Sequence, residues 1–140
     1  MEYMNVLLIG FLAMFDVRAE FTPEEILQLL TPVTEKCIVK TGVDKGLVED
    51  FSKGNMVDDM NLKCYMKCIF LELDVLNETT GFFRYDKILN MVPHSLKSVV
   101  YEMGRNCVHF KGGEGIDLCQ VSYDLHRCWQ RANPEHYFLL

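Results

Sequence analysis

The chain has 140 residues, 49% of them hydrophobic, with 20 Asp and Glu against 14 Lys and Arg and a net charge of −6 when His is neutral. Its basic residues are scattered, with no Lys/Arg run or basic-aromatic interleaving, which argues against a nucleic-acid partner. The length suits one domain with a single core, and neither an internal repeat nor a low-complexity segment divides it.

Residues 1–19 read as a secretory leader. Val6 to Phe15 is an apolar run too short to span a bilayer, and Val17-Arg18-Ala19 puts small residues at the two positions that signal peptidase reads. Cleavage is expected after Ala19, although Met1 to Asn5 carries Glu2 and no Lys or Arg; an uncleaved buried helix is the alternative. The remaining 121 residues, 20–140, make one domain with 18 acidic and 13 basic residues, net charge −5, and no second apolar run of membrane length.

Thr22-Pro23-Glu24-Glu25 opens the first helix: Thr22 is the N-cap, Pro23 takes the first helical position and Glu25 closes a capping box. Ile26, Leu29, Leu30 and Val33 line one face, and Pro32 kinks or breaks the helix near Thr31 before it continues to Thr41-Gly42. Asp44 caps a second helix from Lys45 to about Ser52, with Leu47, Val48 and Phe51 on one side; Gly54-Asn55 stops it.

The third and central helix runs from Asp59 to about Asn77, apolar on nearly every side from Met60 to Leu76, as a helix surrounded by other helices reads. Cys64 and Cys68 project from the same side of it, one turn apart, so this helix can be tied to two other parts of the chain. Asn77-Glu78-Thr79 is a glycosylation sequon, and Asn77 a candidate acceptor in an exported protein. Arg84 to Asn90 is long enough for two turns of helix. Pro93 starts or precedes a fifth helix to about Val108 with the stripe Leu96, Val99, Val100 and Met103.

Lys111 to Gly115 lacks the Gly-Lys-Ser/Thr ending of a phosphate loop and the regular carboxylate spacing of a calcium loop, so it reads as a turn. Asp117 caps the sixth helix, which runs to about Ala132 with Val121, Leu125, Cys128 and Trp129 inward. The fold class is therefore all-α: six short helices and no credible strand pair.

All six cysteines, Cys37, Cys64, Cys68, Cys107, Cys119 and Cys128, lie beyond the leader. An even number in a small exported domain reads as three disulfides, with fifteen pairings open to arithmetic alone. Only one close pair exists, which speaks against a zinc framework, and no metal or other cofactor is expected. Short amphipathic helices leave imperfect packing between them. Cross-links of roughly 3–4 kcal/mol each would let such a fold tolerate an apolar hollow that otherwise costs about 24 cal/mol per Å³.

Between successive cysteines stand twenty-six, three, thirty-eight, eleven and eight residues. With Lys40-Thr41-Gly42-Val43, Leu62-Lys63-Cys64-Tyr65-Met66, Met103-Gly104, His126-Arg127-Cys128-Trp129 and Asn133 to Leu139, this spacing resembles the six-cysteine insect pheromone and general odorant-binding proteins, specifically a subgroup with a medium-length tail. The resemblance implies helices around an apolar cavity and pairing of Cys37 with Cys68, Cys64 with Cys119 and Cys107 with Cys128. Carried over by position, it implies a ligand-binding set of Tyr85, Ile88, Val92, Val100, Tyr101, Met103, Gly104, His126, Trp129, Tyr137 and Phe138. It also implies that the tail folds back as a wall of the cavity, with Tyr65, His136 and Leu140 in its gating: the Tyr65 hydroxyl would hold the terminal carboxylate, while Thr34 stands where some relatives have an Arg.

Residue patterning separately places Val100, Met103 and Trp129 on inward stripes, and eight methionines supply adaptable surface for varied apolar ligands. His126, with no carboxylate at helical spacing, reads as a polar group of the cavity wall, where it could give a ligand carbonyl or hydroxyl one hydrogen bond. His126 and His136 are expected to titrate near pH 6.5 if unperturbed, so that acid weakens binding. The expected function is a secreted carrier of small hydrophobic volatile ligands, delivered through extracellular fluid to an olfactory receptor by a monomer or weak homodimer. No esterase elbow, His-Glu-x-x-His pair or His-Asp dyad marks an enzyme. The alternative is a secreted helical signalling protein or a non-sensory scavenger of lipophilic ligands.

Overall fold

The computed structural model describes residues 22–107 and 115–137. The leader, most of the loop after the fifth helix, and Phe138 and Leu140 of the tail lie outside the described residues.

Thr22 forms the capping box: its hydroxyl accepts from the Glu25 N–H at 3.1 Å, and its own N–H donates to the Glu25 carboxylate at 2.8 Å. Helix α1, Pro23–Leu29, ends at Leu30, and α2, Thr31–Thr41, starts directly after it with Pro32 in its first turn. Proline cannot donate to the carbonyl four residues back, so the expected kink is a complete break. Gly42, at φ 72°, closes α2 in the left-handed region. Helix α3, Lys45–Ser52, is capped by the Asp44 carboxylate, which accepts from the Gly46 N–H at 2.8 Å.

Helix α4, Met60–Glu72, is capped by Asp59 and packs most heavily against α7, Leu118–Ala132, and then against α2. It buries Leu62, Tyr65 and Met66 almost completely. Lys63 on the same helix is also buried, with its ammonium 2.6 Å from the Asp58 carboxylate and 2.7 Å from Gln120 Oε1, above the Tyr123 ring. Its charge is thus paired before it is withdrawn from water.

The end of α4 differs from the sequence expectation. Asp74 adopts φ 59°, the Val75 N–H returns to the Phe70 carbonyl at 3.0 Å, and Val75 and Leu76 leave the helical path. Leu76 then forms an isolated antiparallel bridge with Phe83, closed by the bond from the Arg84 N–H to the Val75 carbonyl at 2.7 Å. This short pairing stands where no strand contact was expected, and the apolar run to Leu76 is explained by burial of Val75 and Leu76 outside any helix.

Helix α5, Tyr85–Met91, a 3-10 turn His94–Leu96 and α6, Lys97–Asn106, follow. Three disulfides cross-link the helices: Cys37 to Cys68 joins α2 to α4, Cys64 to Cys119 joins α4 to α7, and Cys107 to Cys128 joins the end of α6 to α7. Among the described residues, no helix is long and apolar enough to cross a membrane.

The Cys64–Cys119 bond spans 55 residues, for which loop-closure entropy gives about 4 kcal/mol. Replacing both cysteines with Ser should lower the urea midpoint by the equivalent of about 4 kcal/mol. A change below 1 kcal/mol would show that packing of α4 on α7 suffices without the cross-link.

Candidate functional site

The helices line an apolar, partly open cavity of about 300 Å³. Each wall follows from local patterning. From α1 and its junction come Ile26, Leu29 and Leu30, one turn's worth of the face that amphipathic spacing defines. Ile69, Phe70 and Leu73 project from the end of α4, Ile88 and Met91 from α5, Val99, Val100 and Met103 from α6, and His126 and Trp129 from α7. After α7, a turn at Pro134 to His136 brings Tyr137 back into the wall.

Tyr85, Ile88, Val92, Val100, Met103, His126, Trp129, His136 and Tyr137, all named from sequence, line this space. Tyr101 does not: it is 53% exposed, because on α6 it points away from the face that carries Val100 and Met103. Gly104 is buried but stands behind Tyr85, outside the lining. Tyr65, named for gating, lies in the core at 1% exposure and not at the cavity, and burial pushes its hydroxyl up to about 12. Its expected partner, the carboxylate of Leu140, and the wall residue Phe138 fall outside the described residues. Asn77 sits in an exposed turn, its side-chain oxygen accepting from the Thr79 and Thr80 N–H groups at 2.9 and 2.8 Å.

The carry-over by family position missed Ile26, Leu29, Leu30, Ile69, Phe70, Leu73, Met91, Leu96 and Val99. Most already belong to inward stripes in the sequence. Periodicity marks which way they face and not whether the space beyond is filled.

The polar end of the cavity is an aromatic cluster. His126 stacks on Phe70 with ring centroids 5.1 Å apart and meets Trp129 edge-on at 5.1 Å. His126 Nδ1 lies 2.8 Å from the Tyr137 hydroxyl, so the turn after α7 is fastened by one buried hydrogen bond. His126 Nε2 and Trp129 Nε1 are buried without a hydrogen-bond partner among the described residues. An orphan of this kind costs about 1–3 kcal/mol.

Among the described residues no carboxylate lines the cavity, and all six cysteines are in disulfides. Among the described residues no group of His, Cys, Asp or Glu could hold a metal ion. The wall can bury an apolar molecule and offer it one or two hydrogen bonds, and it holds no pair of groups arranged for nucleophilic attack.

The site is an apolar hollow lined by helices that three disulfides cross-link. The PBP/GOBP family model matches residues 19–132, and the chain belongs to this family of secreted, non-enzymatic odorant-binding proteins. It is 32% identical over 63 residues to the B2 protein of Tenebrio molitor, covering 45% of this chain and 49% of that protein, so the alignment spans about half the length of that relative. An odorant-binding protein of Locusta migratoria superposes with a TM-score of 0.70 at 27% identity, covering 84% of this chain and 88% of the other. Odorant binding protein 7 from Anopheles gambiae, solved with an azo compound, gives a TM-score of 0.67 at 24% identity, covering 86% and 99% of the two chains.

Burial corrects the expected titration of His126, lowering its pKa to about 3 from the ordinary 6.5. A chain opened at this site takes up a proton between those values that the closed chain refuses. The stabilisation is complete above about pH 6.5, falls by about 1.4 kcal/mol per unit below it, and levels off near pH 3. Between pH 7 and pH 5 the loss from His126 should be about 2 kcal/mol. Urea melts of the His126→Gln variant should show an acid loss smaller than that of the unaltered chain by this amount. Equal losses would assign the titration to another group.

Proposed function

We propose that this chain is exported by residues 1–19, trimmed after Ala19, and carries small volatile or semi-volatile apolar molecules through extracellular fluid to olfactory receptors. The observation that carries the reading is the apolar cavity of about 300 Å³ at the centre of a disulfide-linked shell. A shell fixed at three points keeps the hollow from collapsing when empty. That the Anopheles gambiae relative was solved in complex with an azo compound supports a small organic occupant here also.

The energetics suit a carrier. Burying on the order of 250–300 Å² of ligand at about 25 cal/mol/Å² contributes roughly 6–7 kcal/mol, and one hydrogen bond about 1 more. Before entropic losses, that total corresponds to low-micromolar affinity, weak enough for release. A single polar end on the ligand would match the unpartnered nitrogens of His126 and Trp129.

Trp129 is the single tryptophan and lines the cavity, so its emission reports on this wall. Titration with an apolar naphthylamine probe should shift or quench that emission saturably at micromolar concentration, and straight-chain alcohols should displace the probe. Failure of every apolar compound to bind would sink the carrier reading. Binding without any change in Trp129 would put the occupied space elsewhere. Receptor delivery is tested separately, by whether the protein lowers the odorant concentration at which receptor-expressing cells respond.

A further inference from the structure

Gly104 and Tyr85 are packed in a way that the cavity depends on. A Cβ built on Gly104 would fall inside the Tyr85 ring, against Cε2, Cζ and the hydroxyl oxygen. The Tyr85 hydroxyl donates to the carbonyl of Val100, one helical turn before Gly104 on α6. The hydroxyl-bearing edge of the phenol therefore sits against bare backbone, in a notch that a Cβ at position 104 would fill.

The other sides of the ring are occupied as well. Phe83 lies against it with centroids 6.3 Å apart, and Trp129 at 6.2 Å. Tyr85 also forms part of the cavity wall. Helix α6 has little freedom to retreat, since Cys107, three residues beyond Gly104, is bonded to Cys128 on α7.

We infer that Gly104 is a specificity-determining residue that never touches the ligand: by seating the Tyr85 ring in the notch, it sets how long an apolar molecule the cavity accepts. This rests on the carrier reading. A methyl at position 104 displaces the ring towards the cavity it lines, shortening the hollow from one end. Ligands that do not reach that end lose nothing, whereas longer ones lose the burial of each methylene excluded, about fourfold in affinity per methylene.

The test is a series of straight-chain alcohols from eight to fourteen carbons, measured by displacement of the naphthylamine probe. For the unaltered chain, affinity should rise about fourfold per carbon to a cut-off length. Gly104→Ala should move the cut-off to a shorter chain while leaving shorter alcohols within twofold. Tyr85→Ala should move it to a longer chain, and Gly104→Ala added to Tyr85→Ala should have no further effect, because the clash needs the ring. Should Gly104→Ala fail to fold, the Tyr85→Ala arm still decides the matter. An unchanged cut-off in Tyr85→Ala, or an equal loss at every length in Gly104→Ala, overturns the inference while the carrier reading stands. Absence of binding across the series in the unaltered chain sinks both.

Discussion

Cys64 and Cys68 stand one turn apart on α4, and their partners Cys119 and Cys37 come from two different helices, α7 and α2. This double attachment is the constraint on which the rest of the structure depends. With α2 and α7 both fixed to α4, and α6 fixed to α7 through Cys107 and Cys128, the helices cannot slide inward to fill the space between them. An unlinked bundle of this size would gain by closing the hollow, because each Å³ removed recovers about 24 cal/mol. Cross-links raise the free energy of the unfolded chain without adding a contact, so they stabilise the fold while leaving the interior unfilled.

Two kinds of interior result. Around Phe51, Leu62, Tyr65 and Met66, side chains are fully buried and packed. Towards Tyr85, Trp129 and Tyr137 the aromatic rings meet one another at centroid distances of about 6 Å on one side and face open space on the other. Phe70 and His126 stand at the boundary, and their stacking joins the solid region to the hollow one.

Helix starts were legible from sequence because capping is local. Thr22, Asp44 and Asp117, read as caps, each hold the backbone N–H that their position predicts, and Asp59, read as the first residue of its helix, caps it instead. The end of α4 was not legible, since Val75 and Leu76 continue an apolar pattern that fits a helix, and only the left-handed Asp74 and the pairing of Leu76 with Phe83 turn the chain away. Within the site, inward-facing residues could be read from spacing, but Tyr101 entered through family position while helical geometry points it outward. The suppressed basicity of His126 depends on Phe51, Phe70 and Tyr137, which reach it from three separate segments. No local signal encodes that enclosure.

Helix α1 stands apart from this cross-linked frame. It contains no cysteine, has seven residues, and is joined to α2 through the break at Leu30, yet Ile26 and Leu29 are part of the cavity wall. Leu29 is also 60% exposed, so this helix covers the cavity from the solvent side. Swinging it aside about Leu30 separates a few apolar contacts and breaks no disulfide. The part of the wall that α1 supplies is thus held by apolar contact alone, while the parts supplied by α4 and α7 belong to helices that disulfides join.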